Sequence, residues 1–254
     1  MINAFSNTSY LLPPLLVGSV AIVLVVLVWQ KSRRDISSRI FSFLVLSVAL
    51  WSLLIFGMRS SPDTHHALAW TRAAIVPGFA IWVFFYHFTL AYTNLRRHRA
   101  ILPAAYSLLL LVTVLAPTDL LVQDMRLEYY GYAPTTNPLS FPLFATTFPL
   151  LIAGAYNLVT WYRSSCSYEE RNRVLYLLIG VPFLLLGIVL DGFTNLPPAG
   201  MWTNLIFCVI CSIAILKYHL LDIRIIVRKG LVYLLLSVTV AIPCKHIVLT
   251  ESNS

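Results

Sequence analysis

Few side chains in this 254-residue sequence could do chemistry, and most of them sit inside stretches apolar enough for a bilayer. Asp119 follows Pro117, and Asp191 precedes Gly192. His87 stands beside Tyr86, with Trp82 about one helical turn earlier, and Asn157 and Trp161 share a face at i,i+4 spacing. An ionisable group at the membrane centre costs about 2.5–3.5 kcal/mol on insertion scales, so each needs a reason to be there. One reason is an outward-facing pocket, with Asp119 and Asp191 as polar anchors and Trp51, Trp82, Tyr86 and His87 as its wall. The other is that both aspartates are solvated at the interface, His87 donates one hydrogen bond to a neighbouring helix, and the aromatics are core or interface-belt residues.

Catalytic patterns are missing. The chain has no H-E-x-x-H metalloprotease pair, no G-x-S-x-G nucleophile elbow, and neither a Walker loop nor a G-x-G-x-x-G phosphate cradle. No catalytic residue and no cofactor is therefore expected. His65-His66 lacks a Glu partner and a third ligand, so these two read as exposed loop residues and no metal site is expected. Cys208-x-x-Cys211 has metal-ligand spacing but lies in an apolar helix, where small residues three apart form a packing face. Neither these two nor Cys166 and Cys244 fall in an outer loop, so no disulfide framework is implied. A retinal-type pigment would need a mid-membrane lysine in the last helix, and Lys217 stands at that helix's end.

Such residues need elements to position them, and the composition restricts those elements. Hydrophobic residues make up 59% of the chain and charged ones 11%, against roughly a quarter charged in soluble domains. The net charge of +8 is not gathered into a basic stripe interleaved with aromatics, so nucleic acid is excluded as a partner and lipid is the expected solvent. Seven segments come near the roughly 20 apolar residues a helix needs to cross a bilayer. They lie at about 10–29, 40–58, 73–92, 101–122, 143–162, 174–193 and 201–216. Lipid offers no partner for open backbone groups, so each must be helical. The expected fold is all-α, a polytopic seven-transmembrane bundle. The stretch at about 123–142, with Gly131, Pro134 and Pro138 among tyrosines, reads as an ordered or interfacial cap.

Charge orients the bundle. Fourteen Lys and Arg fall on one side: Lys31, Arg33, Arg34, Arg39, Arg96, Arg97, Arg99, Arg163, Arg171, Arg173, Lys217, Arg224, Arg228 and Lys229. Three, Arg59, Arg72 and Arg126, fall on the other, and Lys245 is unassigned. The positive-inside bias then puts the N-terminus outside and residues 217–229 in the cytoplasm. Residues 1–9 carry no Lys or Arg, so the first helix does not read as a cleaved signal peptide.

Several stretches resemble a known family. They are Tyr168-Glu-Glu-Arg-Asn-Arg173, Tyr176-Leu-Leu-Ile-Gly180, Asp191, Leu196-Pro-Pro-Ala-Gly200, Asn204, Phe207 and Ala214-Ile-Leu-Lys-Tyr-His-Leu-Leu-Asp-Ile-Arg224. Together they look like the N-terminal seven-transmembrane region of bacterial sensor histidine kinases. Phe43 to Trp51 and the Trp82/Tyr86/His87 face agree more loosely. The resemblance implies a membrane-embedded sensory input module for an unidentified small-molecule or physical stimulus. It also implies coupling to a cytoplasmic kinase, GAF or PAS domain, location in the bacterial cytoplasmic membrane, and a homodimer as one assembly.

The chain accordingly divides into three parts: a sensor bundle over 1–216, a juxtamembrane connector over 217–230, and an apolar segment with a polar tail over 231–254. The connector mixes Lys217, His219, Leu221, Asp222, Arg224 and Arg228, a blend suited to a helix leaving the bilayer along its face. A plain basic anchor for anionic lipid is the other reading of that segment. The run after Gly230 is about 13 residues long, short for a span, and is read as a re-entrant or interfacial helix or as a partial eighth span cut off by truncation. His246 is followed by Ile247 and no glycine-rich ATP lid, so no phosphotransfer is expected of this chain. A small permease-like transporter, or a truncated product that signals nothing, are the alternatives.

Overall fold

The computed structural model describes residues 4–31, 35–95, 100–128, 130–138, 140–164, 168–193 and 200–217. The chain divides into a unit over 1–215 and a second over 216–254. His219, Leu221, Asp222, Arg224 and Arg228 of the connector, and the whole apolar segment after Gly230, lie outside the described residues.

In chain order the elements are α1 (Ala4–Lys31), α2 (Ile36–Arg59), α3 (Thr64–Thr93), α4 (Ile101–Leu115), β1 (Val122–Glu128), β2 (Gly131–Thr136), α5 (Ser140–Ala145), α6 (Thr147–Ser164), α7 (Tyr168–Phe193) and α8 (Gly200–Lys217). The short α5 continues into α6 as one apolar length, Ser140–Ser164. Among the described residues, four apolar lengths are long enough to cross a membrane, and α4, α7 and α8 contain shorter ones. Their number matches the seven segments read from the sequence.

Local signals set the helix ends. Asp35 adopts an extended backbone before α2, and its carboxylate accepts from the N–H groups of Ser37 and Ser38. Asp63 caps α3 in the same way through the N–H of His66. Asn94 closes α3 in the left-handed conformation that Asn tolerates at a helix C-terminus. Two small polar residues of α2 face inward and satisfy themselves: the hydroxyl of Ser42 donates to the Ser38 carbonyl and that of Ser47 to the Phe43 carbonyl. Back-bonding of this kind lets helices approach closely without leaving a polar atom open.

α3 is the axis of the first unit. It packs most extensively on α2, and also against α4, α6 and both strands. Phe85 on α3 meets Phe207 on α8 edge to face at 5.8 Å. The main core begins at Met58 of α2, follows α3 from Ala67 and Ile75 through Phe79, Val83 and Tyr86 to Leu90, and takes in Val112, Val122 and Met125. Outward faces carry the opposite pattern of large exposed apolar residues, such as Leu12, Val23 and Val26 on α1 and Leu110, Leu111 and Val114 on α4. Surfaces of this extent are untenable in water and natural in lipid. The protein is a multi-pass membrane protein.

Two expectations need correction. The fold is not purely α-helical: the stretch read as a cap holds an antiparallel hairpin in which Val122 pairs with Thr136 and Glu128 with Gly131. Gly131 has φ +116, a conformation open in practice only to glycine, and this closes the turn. The fourth helix also ends at Leu115 rather than about 122. Pro117 has no N–H to give the carbonyl of Thr113, so the ladder stops, and Thr118 folds back on Leu115 through both its N–H and its hydroxyl.

Candidate functional site

The first turns of α1 contain two prolines, Pro13 and Pro14. Pro14 cannot donate to the carbonyl of Tyr10 four residues earlier. That carbonyl instead accepts a 2.8 Å hydrogen bond from Nη1 of Arg59, the last residue of α2. Arg59 is 4% exposed, and its guanidinium lies 5.9 Å from the centre of the Tyr130 ring. Tyr130 in turn meets Tyr10 edge to face, and Gly131 stands against the stem of Arg59. One buried cation thus joins α1, the end of α2 and the turn of the hairpin. Nothing in the local sequence pattern of Arg59 announces this; the available signal was an unsatisfied carbonyl opposite a proline.

The other two cations of the sparsely charged side are at the same hairpin. Arg72 of α3 is ion-paired with Asp119, and the same nitrogen donates to the Val122 carbonyl at 3.2 Å. The Thr71 hydroxyl contacts the sulfur of Met125, so strand β1 is tied to α3 at two successive positions. Arg126 pairs with Glu128 along β1.

The sequence-derived pocket residues are dispersed by this arrangement. Asp119 has a side chain 81% exposed and holds Arg72 at the surface, because the chain turns outward after Pro117. His87 lies 15 residues beyond Arg72 on the same helix, about 22 Å away at 1.5 Å per residue, so it cannot share a pocket with Asp119. Nδ1 of His87 is 2.7 Å from the Tyr106 hydroxyl of α4, with the two rings edge to face. Tyr86 is fully buried in the core. Trp51, half-buried on α2, lies over Gly78 of α3, where a Cβ would come within 3.2 Å of its Cδ1. Trp82 is half-buried on α3. Asp191 is in the last turn of α7 and Lys217 ends α8, and their side chains lie outside what is described. Asn157 donates to the Thr89 hydroxyl at 3.4 Å, a buried polar contact between α6 and α3. Cys208 and Cys211 are reduced and buried.

A third donor stands beside His65 and His66. Asp63, His65 and His66 place one ligand atom each within 4.8 Å of the others. The carboxyl of Asp63 is held below its usual range, first by the backbone N–H of His66 and then by the imidazole of His66. The histidines open α3 rather than sit in a loop, and Asp63 supplies the ligand that their own dipeptide lacks.

The model of a protein family described as the N-terminal 7TM region of histidine kinase matches residues 13–224. The chain belongs to that family. Comparison with curated proteins finds no match. The matched stretch of the 7TM region runs from the first proline of α1 past the end of α8, so it includes every helix from α2 to α8 and the hairpin. A histidine kinase 7TM region is a membrane sensory input module rather than a catalytic domain.

Proposed function

We propose that this 7TM region receives a stimulus on the hairpin side of the bacterial cytoplasmic membrane and passes it inward through residues 217–230. The N-terminus then lies outside, the seven apolar helical lengths each cross the bilayer, and the output partner is a cytoplasmic kinase, GAF or PAS domain. The observation that carries the reading is the family match, which continues beyond α8 to Arg224 and so takes in the Lys217–Arg224 part of the connector. Charge supports the orientation: Arg59, Arg72 and Arg126 all gather at the hairpin, whereas Asp35 and Arg39 begin α2 at its other end. On the receiving side, the end of α2, the start of α3 and the hairpin form one clamped unit around Arg59. α3 connects that unit to the contacts at Trp51, Trp82, Tyr86 and His87, and Asp191 remains the second candidate polar anchor.

A chimera tests this. Residues 1–240 are fused to a heterologous kinase, and one to four residues are inserted within 217–229. Each residue inserted in a helix rotates the downstream chain by about 100°, so autophosphorylation should vary with insertion length in a helical phase. Output indifferent to every insertion and substitution there would overturn the transmitter role.

A further inference from the structure

Four residues separate the end of α2 at Arg59 from the start of α3 at Thr64, and the last of them is Asp63. The cap that Asp63 provides uses one carboxylate oxygen: Oδ1 accepts the His66 N–H at 2.8 Å. Oδ2 is left to the imidazole of His66, whose Nδ1 lies 2.8 Å from each oxygen. The His65 ring is 5.8 Å from the His66 ring and nearly perpendicular to it. Both Asp63 and His66 have side chains more than half exposed, so an ion can enter from water.

The geometry points to a divalent transition-metal site formed by Asp63, His65 and His66, with water completing the shell. Ligand atoms about 2.0–2.1 Å from a tetrahedral ion stand roughly 3.4 Å apart. The donors here begin within 4.8 Å, so side-chain rotations alone close the gap, and α3 keeps its cap because Oδ1 need not move. Two imidazoles and one carboxylate favour Zn2+, Co2+, Ni2+ or Cu2+ over Mg2+ and Ca2+, which seek oxygen. The positive end of the α3 dipole opposes any cation at this position. Charge alone would therefore not hold an ion here, and selection falls to the imidazole nitrogens.

The position gives the site a purpose, one that rests on the sensory role proposed for the bundle. Drawing Asp63 and His65 onto one ion tightens the α2–α3 corner. Arg59, four residues before Asp63, is the buried clamp on α1 and the hairpin. A metal ion is thereby a stimulus of defined chemistry at the receiving side.

The test uses the full chain in lipid nanodiscs, purified without a histidine tag. Zn2+ is titrated calorimetrically, and Co2+ is followed by its visible absorption. The wild type should bind one more equivalent than His65→Ala/His66→Ala, with unchanged binding in millimolar Mg2+ or Ca2+. Asp63→Asn, which keeps a capping oxygen, should weaken that equivalent at least fivefold while leaving the helical circular dichroism intact. Equal stoichiometry and affinity in wild type and the double histidine variant would overturn the site, as would no binding at 100 µM Zn2+. A chimera that responds to connector insertions but binds no extra ion sinks the metal site alone. An ion bound by a chimera indifferent to insertions sinks the transmitter reading alone.

Discussion

The hydrogen bond from Arg59 to the Tyr10 carbonyl exists because Pro14 has no N–H to offer, and that dependence is measurable. In Pro14→Ala the new N–H can close the ordinary i,i−4 bond to Tyr10, so the guanidinium becomes a surplus donor. Arg59→Met replaces the cation by an apolar chain of similar length. It loses the charge-assisted bond, worth roughly 1.5–3 kcal/mol, and the Tyr130 contact, worth about 0.5–2 kcal/mol. It also relieves the desolvation of a charge that is 4% exposed, so the sign of the single substitution is uninformative. The double-mutant cycle removes that ambiguity. The Tyr130 contact and the desolvation appear in both backgrounds and cancel, leaving the bond to Tyr10. Arg59→Met should therefore destabilise the Pro14 protein about 1.5–3 kcal/mol more than the Pro14→Ala protein. The assay is SDS titration in mixed micelles, followed by the fluorescence of the six tryptophans. Additivity within about 0.5 kcal/mol would refute the idea that the proline and the buried arginine are partners.

Packing and charge give two further expected outcomes. A Cβ at Gly154 would stand 2.6 Å from Cε1 of the buried Phe85, so Gly154→Ala should destabilise by about 1–3 kcal/mol in the same titration, with Phe85→Leu restoring part of the loss; a fully stable Gly154→Ala would show that α3 and α6 do not approach this closely. For orientation, a membrane-impermeant maleimide should label a Ser61→Cys variant in intact spheroplasts, reach Cys166 only after permeabilisation, and spare the buried Cys208 and Cys211. Labelling in the opposite order would reverse the topology.

Hydropathy made the lipid-crossing parts legible and was blind elsewhere. Hydropathy puts the third segment at about 73–92, yet α3 begins at Thr64, because its first turns carry His65, His66 and Arg72 and stand where no apolar run is required. The missing signal was chemical: an Asp three residues before a backbone N–H that needs a partner. The same blindness hides Asp63, which no apolar periodicity marks as a cap or as a neighbour of His65 and His66. The hairpin escaped for another reason. Its first strand is buried at Val122 and Met125 with exposed residues between, a spacing that does not alternate, and its pairing depends on Gly131 adopting a backbone conformation that no periodicity reports.

Among the site residues, Tyr86 and Asp119 show what side-chain type alone leaves undecided. An aromatic and an acid in apolar segments fit a pocket or a core equally well. The structure places Tyr86 in the core and Asp119 at the surface because α3 is surrounded and α4 ends at Leu115, before Pro117. The one-dimensional features, apolar length and the sign of loop charge, suffice by themselves for the seven apolar helical lengths and for an expected orientation, since transfer into a bilayer and retention of cations act on each segment almost independently. Which cation is buried, which carbonyl it serves and which loop donors converge depend on segments 49 residues apart, as Tyr10 and Arg59 are. Those pairings arise only when helices pack, because a carbonyl left open by a proline in one helix must find its donor on another.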